Sequence, residues 1–311
     1  MLFMVFTVLE MAVGCRTGEY SADKFLAYCR KPTFGDYEHG AIYYGLDSKM
    51  IEHLRQADVV MVGDSEMLMA FSEDNVDRFF RERGIKYFLL GFGYGESSDF
   101  ALALFKKFQL NPRLVIIDTD PFFRRYLSEP AKEVMSNSEL SLVKYQAKQI
   151  SQAYYLRFCS YFPSACEQIH QSIYRSVSTG RWYWHYTHAA PDLTKPFGRD
   201  IPAPDPALMV DGALVGKDFF SEIPLNRHCV ILTGVPTPEY DTAPVANILA
   251  EKLGTAVVNV SVDNLATIDR GHLNAISAKR WSTVFLSQIE GYLANCVPGS
   301  SQRGAVKGRV H

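Results

Sequence analysis

The sequence predicts an α/β fold, a parallel sheet with helices on both faces, interrupted by a large and mainly helical insertion. Two observations carry this expectation. Five short apolar runs, each leading into turn-forming residues, read as strands buried on both faces. Segments with helical periodicity and helix-stop signals lie between them, and strands that alternate with helices form parallel sheets.

The first strand, 57–62 (ADVVMV), runs into Gly63-Asp64-Ser65. A helix over 73–83 follows, stopped by Gly84. The second strand, 86–90 (KYFLL), leads into Gly91-Phe92-Gly93-Tyr94-Gly95. The next helix covers 97–109 and breaks at Asn111-Pro112. The third strand, 114–117 (LVII), ends in Asp118-Thr119-Asp120-Pro121. From 122 to 225 the alternation stops. Within that insertion, 138–178 has helical periodicity, and 189–217 is loop-like and rich in Pro, Asp and Gly. The alternation resumes with a fourth strand at 229–232 (CVIL), a helix at 243–253 closed by Gly254, a fifth strand at 256–260 (AVVNV) and a last helix at 272–294. The expected organisation is an anchor-like segment and irregular lead-in over 1–56, a sheet domain over 57–297 whose insertion covers one end of the sheet, and a disordered, mildly basic tail over 298–311.

Composition narrows the function classes. Of 311 residues, 47% are hydrophobic and 21% charged, which excludes wholesale disorder and fibrous classes. Lys and Arg number 32 against 34 Asp and Glu, a formal net charge of -2, so no basic field holds a nucleic-acid backbone. Six cysteines are too few for a disulfide scaffold, and none has zinc spacing; Cys159 and Cys166 read as buried thiols. The apolar run at 1–14 contains only Thr7 and Glu10 as polar residues and is too short to span a bilayer. It lacks the basic start of a secretory signal, and Ala12-Val13-Gly14-Cys15 only loosely matches a lipoprotein cleavage box. It reads as the C-terminal part of a signal anchor, with an ordinary buried helix as the alternative.

Ligands of parallel sheets bind beyond the carboxyl ends of the strands. Ser65 sits there, directly after the first strand, where a hydroxyl can project over the sheet edge; equally, serine there serves as a helix N-cap. The G-x-S-x-G nucleophile elbow is not met, because Met67 holds the second glycine position. After the last strand, Asp269-Arg270-Gly271-His272 places an acid and an imidazole on one turn. A serine nucleophile needs an imidazole to take its proton, and the imidazole needs a carboxylate to hold its tautomer. The plain alternative is a helix start capped by Asp269 with His272 in solvent.

Taken together, Gly63-Asp64-Ser65, the Gly-rich turn at 91–95 and the D-x-x-H segment resemble the SGNH (GDSL-like) hydrolase superfamily over about 57–121 and 227–294. His272-Leu273-Asn274 with Ser277-Ala278 and Trp281-Ser282 is similar to the branch containing bacterial envelope polysaccharide O-acyltransferases and esterases. The resemblance implies a flavodoxin-like three-layer sandwich with strand order 2-1-3-4-5. It implies Ser65 as nucleophile, His272 as general base and Asp269 as its orienting carboxylate, with Asp64 in a structural hydrogen-bonding role. The oxyanion hole would use the N–H of Ser65 and of Gly95, with Gly93 as the alternative. The third block departs from the family's G-x-N-D: no asparagine is present, and Asp120 falls near its place. An ionised Asp120 would repel an oxyanion, so the hole is two-membered or is completed from the insertion.

Gly91-Phe92-Gly93-Tyr94-Gly95 has the spacing G-x-G-x-G, which is not the dinucleotide fingerprint. The aromatic run at 181–188 reads either as insertion core or as a stacking platform for sugar rings, and Asp120, Trp182, Trp184 and His185 are the candidate substrate contacts. The expected function is a serine esterase or O-acyltransferase that needs no metal or organic cofactor. It would act on acylated carbohydrate, beside other envelope polysaccharide machinery, in the periplasm or cell envelope. Membrane contact would be through the N-terminal segment alone. The alternative is a catalytically silent relative that binds polysaccharide or scaffolds its synthesis machinery.

Overall fold

The computed structural model describes residues 23–29, 34–162, 172–185, 201–269 and 271–298. In chain order the described elements are β1 (Lys24–Cys29), β2 (Gly35–Asp36), α1 (Glu38–Tyr43), α2 (Ser48–Arg55), β3 (Val59–Gly63), α3 (Ser65–Phe71), α4 (Asp74–Glu82), β4 (Tyr87–Gly91), α5 (Ser98–Phe108) and β5 (Leu114–Asp118). There follow α6 (Glu129–Met135), α7 (Glu139–Tyr161), β6 (Ser172–Ser176), β7 (Trp182–His185), α8 (Pro206–Glu222), β8 (Val230–Thr233), α9 (Thr242–Leu253), β9 (Ala256–Val257), α10 (Ala275–Gln288) and α11 (Glu290–Cys296).

The chain divides into two compact units, one of residues 1–52 and 128–190, the other of 53–127 and 191–311. In the second unit, β4-β3-β5-β8-β9 form a five-stranded sheet. All four pairings are parallel, the order is the expected 2-1-3-4-5, and helices flank the sheet in a flavodoxin-like three-layer sandwich. The runs VVMVG, YFLLG and LVIID are buried at every position, as strands covered on both faces must be. α10 packs on α3 and α4, where Trp281 meets Phe71 and Phe285 with ring centroids 5.3 and 5.4 Å apart. α8 packs on α5 and α9. A disulfide, Cys229–Cys296, ties the start of β8 to the end of α11.

The first unit corrects the reading of the lead-in and the insertion. Residues 24–29 and 35–36, read as irregular, are strands β1 and β2. Residues 172–176, placed in a helical run, form β6, which pairs antiparallel with β1 and with β7 in a sheet ordered β2-β1-β6-β7. The cause is local: Ser178-Thr179-Gly180 turns the chain, with Gly180 at φ +70 and its N–H donated to the carbonyl of Ser176 at 3.1 Å. Asp23 fixes the turn by accepting from Ser178 N at 3.0 Å and Ser176 Oγ at 2.7 Å. The insertion is therefore divided: 128–190 belongs with the first unit, and 191–225, including α8, belongs with the parallel sheet. The residues of the expected anchor and nearly all of the expected tail lie outside the described residues, and among those described no helix is long and apolar enough to cross a membrane. Cys29, Cys229 and Cys296 are disulfide-bonded; Cys166 and the side chain of Cys159, expected as thiols, lie outside the description.

Candidate active site

Close backbone approach sets the position of Ser65. A Cβ on Gly63 would stand 2.7 Å from Met67 Cβ and 3.0 Å from Asp118 Cβ. One on Gly91 would stand 2.7 Å from Met67 Cε and 3.0 Å from the Asp64 carbonyl oxygen. Those contacts are too short for any side chain, so glycine at the ends of β3 and β4 lets α3 begin directly over the sheet edge. Asp64 caps α3, its Oδ1 accepting from Glu66 N at 3.0 Å, in the structural role expected for it. Ser65 is the first helical residue.

His272 and Asp269 arrive on the loop after β9. The loop is closed by a bridge between Thr267 and Leu273 and by Ile268 N–H donating to the His272 carbonyl at 3.0 Å. Inside it, Asp269 Oδ1 accepts from the backbone N–H of Gly271 at 3.2 Å and of His272 at 2.9 Å. Asp269 Oδ2 then lies 2.7 Å from His272 Nδ1, and His272 Nε2 lies 2.9 Å from Ser65 Oγ. The pair sits in this loop and not in the last helix, which was expected from 272. That helix starts at Ala275 and is capped by Asn274, whose side chain accepts from Ser277 N at 2.9 Å.

Charge polarises this chain of groups. Burial works against ionisation of Asp269, but the hydrogen bond and charge of His272 prevail and lower its pKa. An ionised carboxylate only accepts, so the Nδ1 of His272 carries a proton and its Nε2 faces the serine. Burial likewise opposes charge on His272, yet the Asp269 hydrogen bond and the Glu66 charge outweigh it and raise its pKa. Glu66, which the sequence reading passed over, competes with His272 for the single hydroxyl proton of Ser65: its Oε2 lies 3.1 Å from Ser65 Oγ, and its Oε1 lies 4.0 Å from His272 Nε2. Burial pushes Glu66 upward, but its hydrogen bond with Asp64 and the charge of His272 bring it below the usual carboxylate range. The arrangement can activate a serine hydroxyl as a nucleophile, with one carboxylate orienting the base and a second beside the serine.

More acid lies next to this chain. Asp118, fully buried at the end of β5, accepts from Val235 N at 3.1 Å, and its Oδ2 has no partner. Burial and the charge of Asp120 hold Asp118 well above the usual range, and burial and Glu66 do the same to Asp64. Asp120 is 7% exposed. Burial, Glu66 and Glu239 push it up to about 7 against the opposing charge of Arg124. Gly95 adopts φ +58 and follows Tyr94 at φ +64, a turn in which a Cβ on Gly95 would stand 2.8 Å from Arg124 Nη2. Arg124 also donates to the Gly95 carbonyl. Arg124 and Glu239 carried no local sequence signal; only the fold brings them to Asp120.

Trp182, expected at a substrate surface, is instead a core residue of the antiparallel unit. It is buried, and its Nε1 donates to Glu38 Oε2 at 2.9 Å, which leaves no face for a sugar ring. Trp184 and His185 are residues of β7 whose side chains lie outside the description. Among the described residues, Asp36, Glu38 and His39 are close enough to share an ion, but Glu38 Oε2 is already taken by Trp182 and by Arg175 Nη1 at 2.9 Å. A cleft of about 750 Å³ lies between the loops that leave β8 and β9, the second of which continues to Asp269 and His272. Thr237, Tyr240, Asn259, Ser261 and Asp263 give it a largely polar wall, and Ile201 lines it from the former insertion. Comparison with known proteins finds no matching family model, no matching curated protein and no matching solved structure.

Proposed function

We propose that this chain is a serine esterase or O-acyltransferase of the SGNH type. The observation that carries this reading is the continuous hydrogen-bonded chain Ser65–His272–Asp269, with contacts of 2.9 and 2.7 Å, at the carboxyl edge of a parallel sheet. Ser65 attacks an acyl carbonyl as His272 takes its proton, an acyl-enzyme forms, and water or a sugar hydroxyl then accepts the acyl group. The polar cleft beside the loop of His272 suits a hydroxyl-rich substrate, which supports acylated carbohydrate. The disulfide between Cys229 and Cys296 supports an oxidising compartment, in keeping with a periplasmic or envelope location.

A second reading, a silent binder of polysaccharide, is favoured by Asp120 standing where an oxyanion donor is expected. The experiment that decides is labelling of Ser65 with a fluorophosphonate, together with turnover of acyl esters with and without sugar acceptors. Ser65→Ala is expected to lower turnover on the order of 10⁶-fold with an unchanged melting temperature. Turnover that survives in that variant removes the nucleophile from the reading.

A further inference from the structure

We infer that Asp120, as the neutral carboxylic acid, donates a hydrogen bond to the oxyanion formed when Ser65 attacks an acyl carbonyl. This rests on the acyl-transfer reading above and goes beyond it, because the sequence reading left Asp120 as a liability to the oxyanion. Placement comes first. In the parallel pair β3–β5, Val62 stands beside Ile117, so Ser65 and Asp120 each lie three residues past that pair as the two strands leave the sheet side by side. One step along, a Cβ added to Gly63 would stand 3.0 Å from Asp118 Cβ, so the two strand ends run close together there. Asp120 thus lies at the same sheet edge as Ser65, is buried, and is close enough to Glu66, the serine's own hydrogen-bond partner, for the two charges to interact.

The surroundings decide its protonation. From α3 and its cap, Asp120 meets Glu66 and Asp64; from its own strand end, Asp118; from the loop after β8, Glu239. Arg124 is the cation acting against them, and it is also held by the Gly95 carbonyl. Burial and the charges of Glu66 and Glu239 favour the neutral form against the one shared guanidinium, and Asp120 gives up its proton only near pH 7. A neutral acid has one O–H to donate, an ionised one has none, and an acid kept neutral by its site can serve as an oxyanion donor. In the step itself, the Ser65 proton passes to His272 Nε2 as the Oγ–C bond forms. The carbonyl π pair moves onto oxygen, and Asp120 donates a hydrogen bond to it while keeping its own proton. On collapse the C–O bond to the leaving alcohol breaks, and that alcohol takes the proton from His272.

The signs follow for pH dependence. His272 must be neutral to accept a proton, so the rate rises as pH passes its elevated pKa. Asp120 must be protonated to donate, so the rate falls as pH passes about 7. The profile is a narrow bell. The test is the rate of Ser65 acylation by p-nitrophenyl acetate, and of its labelling by a fluorophosphonate, over about pH 5 to 10. It uses the full chain and its Asp120→Asn, Asp120→Ala and Ser65→Ala variants, each checked for folding by thermal melting. Asp120→Asn supplies an amide donor at every pH, so the descending limb is expected to vanish while the ascending limb stays. Asp120→Ala supplies none and is expected to lose about 100- to 1,000-fold at the optimum. A descending limb that persists in Asp120→Asn, or a folded Asp120→Ala with the native rate, overturns the inference and leaves the Ser65 chemistry standing. Absence of any Ser65-dependent acylation in the native chain overturns both.

Discussion

In the antiparallel unit Glu38 is buried against Arg175, which is fully buried itself, and the same carboxylate oxygen takes the indole N–H of Trp182. Asp36 in that unit lies 2.9 Å from His39 Nδ1, and the ammonium of Lys148 donates to the Asp36 backbone carbonyl. In the parallel-sheet unit, Asp64, Asp118 and Asp120 are buried together with the partly buried Glu66, and Arg124 is the one guanidinium set against Asp120. Both regions cost desolvation. The first recovers it through paired charges; the second does not, and holds Asp64, Asp118 and Asp120 partly or wholly protonated instead. A paired buried network holds a fold together. A crowd of buried acids beside a serine and an imidazole, kept neutral by burial and by one another, lowers stability and persists where chemistry uses it.

The largest effect expected from this contrast is on the paired side. Replacing Arg175 by Met leaves Glu38 buried without its cation, and breaking such a pair costs about 3–5 kcal/mol. Urea denaturation should show that loss. The loss of acylation by Ser65 should be no greater than the loss of folded protein. A variant as stable as the native chain would mean that the pair is not what compensates Glu38.

On the unpaired side the expected effect runs with pH. Asp120 has a higher pKa folded than unfolded, so between about pH 4 and pH 7 the folded state holds a proton that the unfolded state has lost. Stability from this group is therefore complete below the unfolded value and falls as pH rises through the folded one. At 1.36 kcal/mol per pKa unit the decline is at most about 4 kcal/mol. Asp120→Asn has no proton to lose, so its stability relative to the native chain should increase from about pH 4.5 to pH 8. Denaturation midpoints at the two pH values measure the difference. Equal pH dependence in both proteins would place Asp120 in ordinary, well-solvated surroundings.

What the sequence revealed and what it hid divide along the same line. The parallel sheet was legible because four of its strands are apolar runs that lead into Gly, Asp or Pro; the fifth, read as 256–260, is strand only at Ala256–Val257. Ser65 was legible because it follows such a run directly, and Asp269 and His272 because they stand three residues apart after the last one. The hairpin of β6 and β7 was not, because the 23-residue helix α7 precedes it in a stretch with few helix breakers and its pairing partner β1 lies over a hundred residues away. Trp182 looked like a platform because an aromatic cluster has the same composition whether it faces a sugar or a buried Glu38. The pairing of Cys229 with Cys296 spans 67 residues and leaves no local mark. Asp120 read as a charge because protonation depends on neighbours drawn from three separate segments, and no window of sequence contains them.

The smallest expected effect is the sharpest on mechanism. Glu239 is exposed on the loop after β8, and its charge raises the pKa of Asp120. The charges that raise His272 are those of Glu66 and Asp269, so Glu239 should reach one limb of the pH profile and not the other. Glu239→Gln removes a negative charge from beside Asp120, which then ionises at lower pH. The descending limb should move down by roughly 0.2 to 0.7 of a pH unit, the equivalent of the ~0.2–1 kcal/mol typical of an exposed charge pair. The ascending limb should stay in place, and the shift should shrink in high salt, because solvent ions screen exposed charges. The measurement is the pH profile of Ser65 acylation at low and high ionic strength. A descending limb that does not move while its salt dependence is intact would assign that limb to a group other than Asp120. Movement of both limbs together would mean that Glu239 acts on the whole site through the loop's structure and not through its charge on Asp120.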